Sequence, residues 1–244
     1  MTAPPVALLF AITLTMSLPA APPSREAVVD RLESGATDLS NLEAPAMNLS
    51  GLDFSGVNLF GANLKGADLS NAKLTRCNLD VAILRDAIMV NADLREASLF
   101  SSVLANANLS GADLRGARLM ANMERANLEA ANLAGAKGSS DMRNQPMGLI
   151  RLVLRNASLK GAKLNGAELV RADLSFADLT DADLSDADLT RANLTGADLT
   201  GAKLERATLA GADVHNTIFR QVQGLATVRG LESSEGRDAA IFER

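Results

Sequence analysis

His215 is the one histidine of the 244-residue chain and Cys77 its one cysteine, so there is a single candidate for a general base near neutral pH and a single candidate thiol. Neither has company. No Ser or Cys is spaced near His215 as a nucleophile, and a lone cysteine builds neither an intrachain disulfide nor a cysteine-based zinc cage. His215 follows Val214 in a predicted corner and reads as a solvent-facing turn residue. Cys77 takes an inward slot two residues before Leu79 and reads as core, not as a reactive thiol. Glycine pairs such as Gly51/Gly56 and Gly61/Gly66 mimic the opening of a phosphate-binding loop, but Val57 and Ala67 follow them and no lysine completes it. No catalytic, cofactor-binding or metal-binding residue is assigned, and the chain is read as a non-enzyme without a cofactor.

The element that carries these residues is set by a period of five. Leu or an equivalent recurs at Leu49, Phe54, Leu59, Leu64, Leu69 and onward to Leu119, and again from Leu154 to Leu209, Val214 and Phe219. A small residue stands two positions before nearly every one of them. Five matches neither the helical 3.6 nor the strand period of 2, and such a repeat is read before anything else. Within one unit, however, the small residue and the leucine are two apart, so in an extended segment both point inward. The remaining positions are often Gly, Ser, Thr, Asn or Asp, which suit a turn. A chain that alternates a short extended segment with a corner must coil; right-angled corners close a coil every four units, and successive coils stack as parallel strands about 4.8 Å apart. The composition agrees: 47% of residues are apolar, with no Trp or Tyr and 7 Phe, so the core is narrow and repetitive.

Units such as ADLSN, ANLKG, ADLTD and ANLTG resemble the A(D/N)LXX repeat of the pentapeptide-repeat family, over roughly residues 37–219. The resemblance implies an all-β fold, a right-handed quadrilateral parallel β-helix with leucine as the central inward residue; Leu59, Leu64, Leu69, Leu109, Leu114, Leu174, Leu179, Leu184, Leu189, Leu194 and Leu199 are assigned to that core.

Stacking by 20 residues sorts the charged side chains. The densest acidic stretch holds Asp173, Asp178, Asp181, Asp183, Asp186 and Asp188. Some members of the family mimic DNA and bind type II topoisomerases, so this stretch is where such mimicry belongs. Yet Asp183 falls between Lys163 and Lys203, an opposite-charge ladder, and mimicry is the minority reading. The net charge of −5 also argues against direct binding of nucleic acid, which needs clustered Lys and Arg. Arg151, Arg171 and Arg191 fall into one corner column beside Glu168 and Asp188. That column is either a neutralised stripe or an edge that recognises anions. Phe60 and Phe100 occupy corner slots two coils apart, with Asp80 between them and Met120 beyond. They are candidate partner-binding residues, unless a loop or cap covers them.

Breaks in the period divide the chain. Residues 1–21 carry an apolar run followed by small residues, too short for a membrane span and similar to a secretory signal; no Lys or Arg precedes Arg25. Export to a periplasmic, lumenal or secreted location is expected, with no transmembrane span in the mature chain, and a cytoplasmic location if the segment is not a signal. Residues 22–36 are predicted as a capping helix that Ser24 starts and Gly35 stops, 37–134 as a first repeat array, 135–148 as an irregular coil or loop, 149–219 as a second array, and 220–244 as a short helical C-terminal cap or tail. Capped ends keep stacked sheets from polymerising and leave a homodimer through one cap open. The reading that follows is a rigid scaffold for a protein partner, with modulation of a DNA gyrase as the alternative.

Overall fold

The structure, a computed structural model, describes residues 22–139 and 151–242. Its regular part repeats one five-residue pattern of hydrogen bonds. Around Leu59, the Leu59 amide donates to the Asn78 carbonyl of the next coil at 2.7 Å and Gly61 N to the Asp80 carbonyl at 2.9 Å. Ala62 N closes a turn onto the Leu59 carbonyl at 3.0 Å, and Asn63 N reaches back to the Leu42 carbonyl of the preceding coil at 2.8 Å. One amide of the five is left, that of Phe60, and it donates to Asn58 Oδ1 at 3.2 Å. Backbone donors must find partners. The Asp or Asn of each unit is therefore a corner cap, accepting from the amide two residues on.

The four-residue turn Leu59 to Ala62 carries Gly61 at its third position with φ +66°, the sign that this turn type demands there. The equivalent position elsewhere holds Asn71 and Asp181, but also Val81 at φ +62°, Arg171 at φ +62° and Phe176 at φ +58°.

Parallel bridges run in four ladders. The first face carries Asp38, Asn58, Asn78, Ser98 and Arg118, then Lys137, Glu168, Asp188, Thr208 and Arg229; the second starts Glu43, Asn63, Ile83; the third Asn48, Asp68, Ile88; the fourth Asp53, Lys73, Asp93. At about 4.8 Å per coil the rod is on the order of 45 Å long. Its axis is filled by leucine: Leu59, Leu64, Leu69, Leu109, Leu114, Leu174, Leu179, Leu184, Leu189, Leu194 and Leu199 are fully buried, and Ala62, Ala67 and Ala72 line the walls beside them.

Two breaks in register fall close together. Arg118 bridges Lys137, one residue short of a full coil, because a single residue, Met120, serves the corner before inward Ala121. Asn122 then bridges Val153, Asn127 bridges Ser158, Asn132 bridges Lys163 and Lys137 bridges Glu168. The coils before and after the insertion are thus direct neighbours. The segment expected to be irregular from 135 is regular at its start: Ala136 is buried, Lys137 is bridged, and Gly138 N donates to the Glu168 carbonyl at 2.8 Å. Alanine in the inward slot and lysine in the outward one are what the pattern accepts. The rest of that segment, to residue 148, lies outside the described residues, as does the segment 1–21 read as a signal.

At the N-terminal end, α1 (Arg25–Glu33) is capped by Ser24, whose side chain accepts from Ala27 N at 3.2 Å. Val28 is fully buried, and Leu32 packs against the core with Met47 and Leu52 of the first coil. Arg31 Nη2 donates to the Asp38 carbonyl at 3.1 Å. The C-terminal end departs from the expected helical cap. Gln223, Arg229, Glu235 and Ile241, six apart, bridge Lys203, Thr208, Asp213 and Ile218, so the segment is a further and wider coil. Each of its corners is a left-handed glycine followed by a short 3₁₀ turn: Gly224 before Leu225–Thr227, Gly230 before Leu231–Ser233, Gly236 before Arg237–Ala239. A Cβ at Gly230 would stand 2.7 Å from Ala210 Cα; glycine lets the wide coil seat on the rod. Val222, Leu225, Val228 and Leu231 then fold against the core, and Phe242 stacks on Phe219 with centroids 5.0 Å apart.

Candidate functional site

The corner between the first and second faces gathers most of the side chains singled out above. Phe60, Asp80, Phe100 and Met120 follow the first-face leucines directly. Val81, Arg151, Arg171 and Arg191 each stand just ahead of the next inward residue. The aromatic and basic columns are therefore two halves of one edge. The same edge has the shortened corner at Met120, and the two described residues that flank the insertion, Ser139 and Arg151, both lie on it.

In the basic half, Arg151 is not neutralised by Glu168 or Asp188. Those carboxylates stand on the first face, whereas Arg151 leans to the second, where Arg151 Nη2 meets Asp173 Oδ2 at 3.2 Å. Arg155 Nη2 reaches the same oxygen from the opposite corner at 3.1 Å. The Asp173 side chain is 1% exposed, and its other oxygen accepts from Ser175 N at 3.2 Å and Ser175 Oγ at 2.6 Å. Burial pushes the Asp173 carboxyl up, but the Ser175 and Arg155 hydrogen bonds and the Arg151 charge outweigh it and hold it below the usual range. Arg191 is exposed and lays its stem over Gly211, its Cγ 3.5 Å from where a Cβ would be.

The aromatic half is only partly open. Phe60 is 44% exposed, but Phe100 is not the exposed aromatic that its corner slot suggested: the Arg118 guanidinium lies 4.4 Å from its ring centroid. Ser98 replaces the capping Asp or Asn here, so Phe100 N donates at 2.9 Å to Oδ1 of Asp80, one coil back, which also accepts from Ser98 Oγ. Asp80 thus does for its neighbour what Asn58 does for Phe60.

Away from this edge the reactive residues are quiet. Cys77 is buried and donates through Sγ to the Val57 carbonyl at 3.0 Å; burial pushes its thiol up to about 12. The His215 ring is half exposed, 2.6 Å from Asp213 Oδ1, with Gly236 of the closing coil against its face. Among the described residues, no group of three His, Cys, Asp or Glu is placed to hold a metal ion.

The acidic stretch lies in the register expected of it, with Asp183 bridged to Lys163 and Lys203, Asp178 to Asp198 and Asp188 to Thr208. Asp178, Asp183, Asp188 and Asp198 each cap the amide two residues on, at 2.9–3.0 Å. Asp186 pairs with Arg206 at 2.6 Å. Much of this acid is occupied in building corners. What sequence reasoning passed over is the third coil, where the capping slot holds Ile83 and Ile88, each 43% exposed. The signal was available: AIL and AIM stand where ADL or ANL recurs.

Comparison with known proteins agrees with the architecture. The chain matches the model for pentapeptide repeats, in eight copies, over residues 45–76, 62–99, 101–120, 153–191 and 182–221. It is 30% identical to HetL, a pentapeptide repeat protein involved in heterocyst differentiation regulation in the cyanobacterium Nostoc sp., across 88% of this chain and 92% of HetL, with a TM-score of 0.40. Trypsin-treated QnrB1, a plasmid-mediated fluoroquinolone resistance protein, is 23% identical across 80% of this chain and 89% of its own, with a TM-score of 0.54. Rfr23, a pentapeptide repeat protein of the cyanobacterium Cyanothece, is 26% identical over 65% of this chain and 98% of its own, TM-score 0.22. No curated protein matches.

Proposed function

The chain belongs to the pentapeptide-repeat family, and from that premise we propose that it is a non-catalytic scaffold, a right-handed rod that binds a protein partner along the edge carrying Phe60, Phe100, Arg151, Arg171 and Arg191. One observation carries the reading: aromatic residues, basic residues, a shortened corner and an insertion converge on a single edge of an otherwise repetitive rod. Regular faces offer no reason for such convergence, and recognition concentrates in irregular segments set on rigid scaffolds. Site-specific photo-crosslinking tests it. A crosslinker at position 60 or 191 is expected to trap one discrete adduct in the native host, and one at Lys160, on the edge between the third and fourth faces, none. Equal labelling at all three positions would remove the assignment.

Modulation of a gyrase is the weaker alternative, because the aspartates it would need are interleaved with Lys163 and Lys203 or engaged with corner amides. No helix among the described residues is long and apolar enough to cross a membrane, and export is proposed on the apolar run within residues 1–21. The mass of the protein recovered from separated compartments tests this. Loss of about the first 20 residues outside the cytoplasm supports export, whereas an intact chain in the cytosol makes a supercoiling assay the next step.

A further inference from the structure

A second surface, on the corner between the second and third faces, departs from the repeat in a way that the rod itself does not need. In most units the outward Asp or Asn caps a corner amide; Ile83 and Ile88 give up that bond at Arg85 N and Val90 N and expose apolar surface instead. Between them stand the corner residues Arg85 and Asp86. Asp86 Oδ1 already accepts from Asn106 Nδ2 at 3.1 Å. Lys65 lies one coil below Arg85 in the same column, and both are exposed. Neither takes part in an ion pair among the described residues. Two like charges stacked about one strand spacing apart repel each other, and no ion pair among the described residues offsets them. On the far side of Ile83, Val81 adds further exposed apolar surface, and it does so in the left-handed conformation that Gly or Asn would take with less strain.

We propose that this corner docks a partner protein through a segment that places a carboxylate between Lys65 and Arg85 and apolar side chains on Ile83 and Ile88. The charge pattern selects the chemistry: apolar shoulders alone would accept many surfaces, but flanking an unneutralised cation pair they select an acidic, apolar segment and reject a basic one. The surface touches the edge between the first and second faces only at Val81, and Lys65, Arg85, Ile83 and Ile88 are no part of that edge, so either assignment can fail without the other.

The test uses the full chain and a random-peptide display library as the probe. Enriched peptides are expected to combine Asp or Glu with Leu, Ile, Val or Phe. Their affinity should fall about tenfold or more on Ile83→Asn/Ile88→Asn, a double change that restores the family's own residue at both slots and so keeps the rod folded. Lys65→Glu/Arg85→Glu should abolish binding of the acidic peptides and confer binding on counterparts with Lys in place of Asp or Glu. No enrichment, or binders indifferent to the double asparagine change, would overturn the proposal. So would a concentration-dependent dimer of the unaltered chain that the asparagine change dissociates, because the corner would then be covered by a second copy.

Discussion

The ring of Phe176 fills the space that a Cβ on Gly196 would take: Cδ1 and Cε1 lie 2.6 and 2.7 Å from that position. Both residues sit in left-handed corners one coil apart, Phe176 at φ +58° and Gly196 at φ +67°. Gly196→Ala therefore meets two penalties, the left-handed backbone, at about 1–2 kcal/mol, and displacement of the ring. Chemical denaturation should show a loss of about 2 kcal/mol. Phe176→Asn removes the steric part, so the same glycine change made in that background should be milder. Additive losses would mean that the ring swings aside without consequence.

Asp173 anchors Arg151 and Arg155 from a buried position. Asp173→Asn keeps the shape but leaves two half-exposed guanidinium groups without their carboxylate, and should lower stability by about 2 kcal/mol. A denaturation midpoint unchanged at pH 7 would show that the arginines find equivalent partners in water.

Acid should unfold the rod through carboxyls of this kind. Hydrogen bonds from Arg95 hold Asp93 at about 2, and Asp113, Asp173 and Asp186 are likewise held below their ordinary range. A carboxyl whose folded pKa is depressed stabilises above its unfolded value of about 3.9, and that contribution is lost as pH falls through the folded value. Urea midpoints should be level above about pH 5 and drop between about pH 4 and 2. Arg95→Ala should lie below the parent at neutral pH, the gap closing toward about pH 2.

How much of this was legible in the sequence depends on whether a feature repeats. Leu59 and Ala62 announce their inward slots because every unit says the same thing, and the 20-residue spacing of Lys163, Asp183 and Lys203 follows from four such units to a coil. The closing coil hid itself because Gly224, Gly230 and Gly236 stand where leucine marked the earlier coils, and the step changes from five to six. The Arg151–Asp173 pair was missed for another reason. Period and register place residues in columns, but which face a corner arginine leans toward is decided by the neighbouring side chains. The exposure of Phe100 is decided in the same way, since Arg118 reaches it from the adjoining coil.

Cys77 gives a direct probe of core integrity. Its thiol is buried and pushed up to about 12 by burial, so the reactive thiolate is suppressed in the folded rod. Ellman's reagent should leave the native protein unlabelled and titrate one thiol per chain in denaturant. Rapid labelling without denaturant would mean that the coil bearing Cys77 opens locally.

Val81 supplies the sharpest test of whether a departure from the repeat is structural. It is β-branched, 47% exposed, and held at φ +62°. A left-handed non-glycine residue costs about 1–2 kcal/mol, while Asn adopts that conformation more readily. Val81→Asn should therefore raise stability by about 0.5–1 kcal/mol. A gain in stability accompanied by weaker binding of apolar peptides would place Val81 among residues kept for recognition at the expense of the rod. A loss of stability would instead show that the valine packs usefully against its neighbours, and the corner beyond Ile83 would then belong to the architecture.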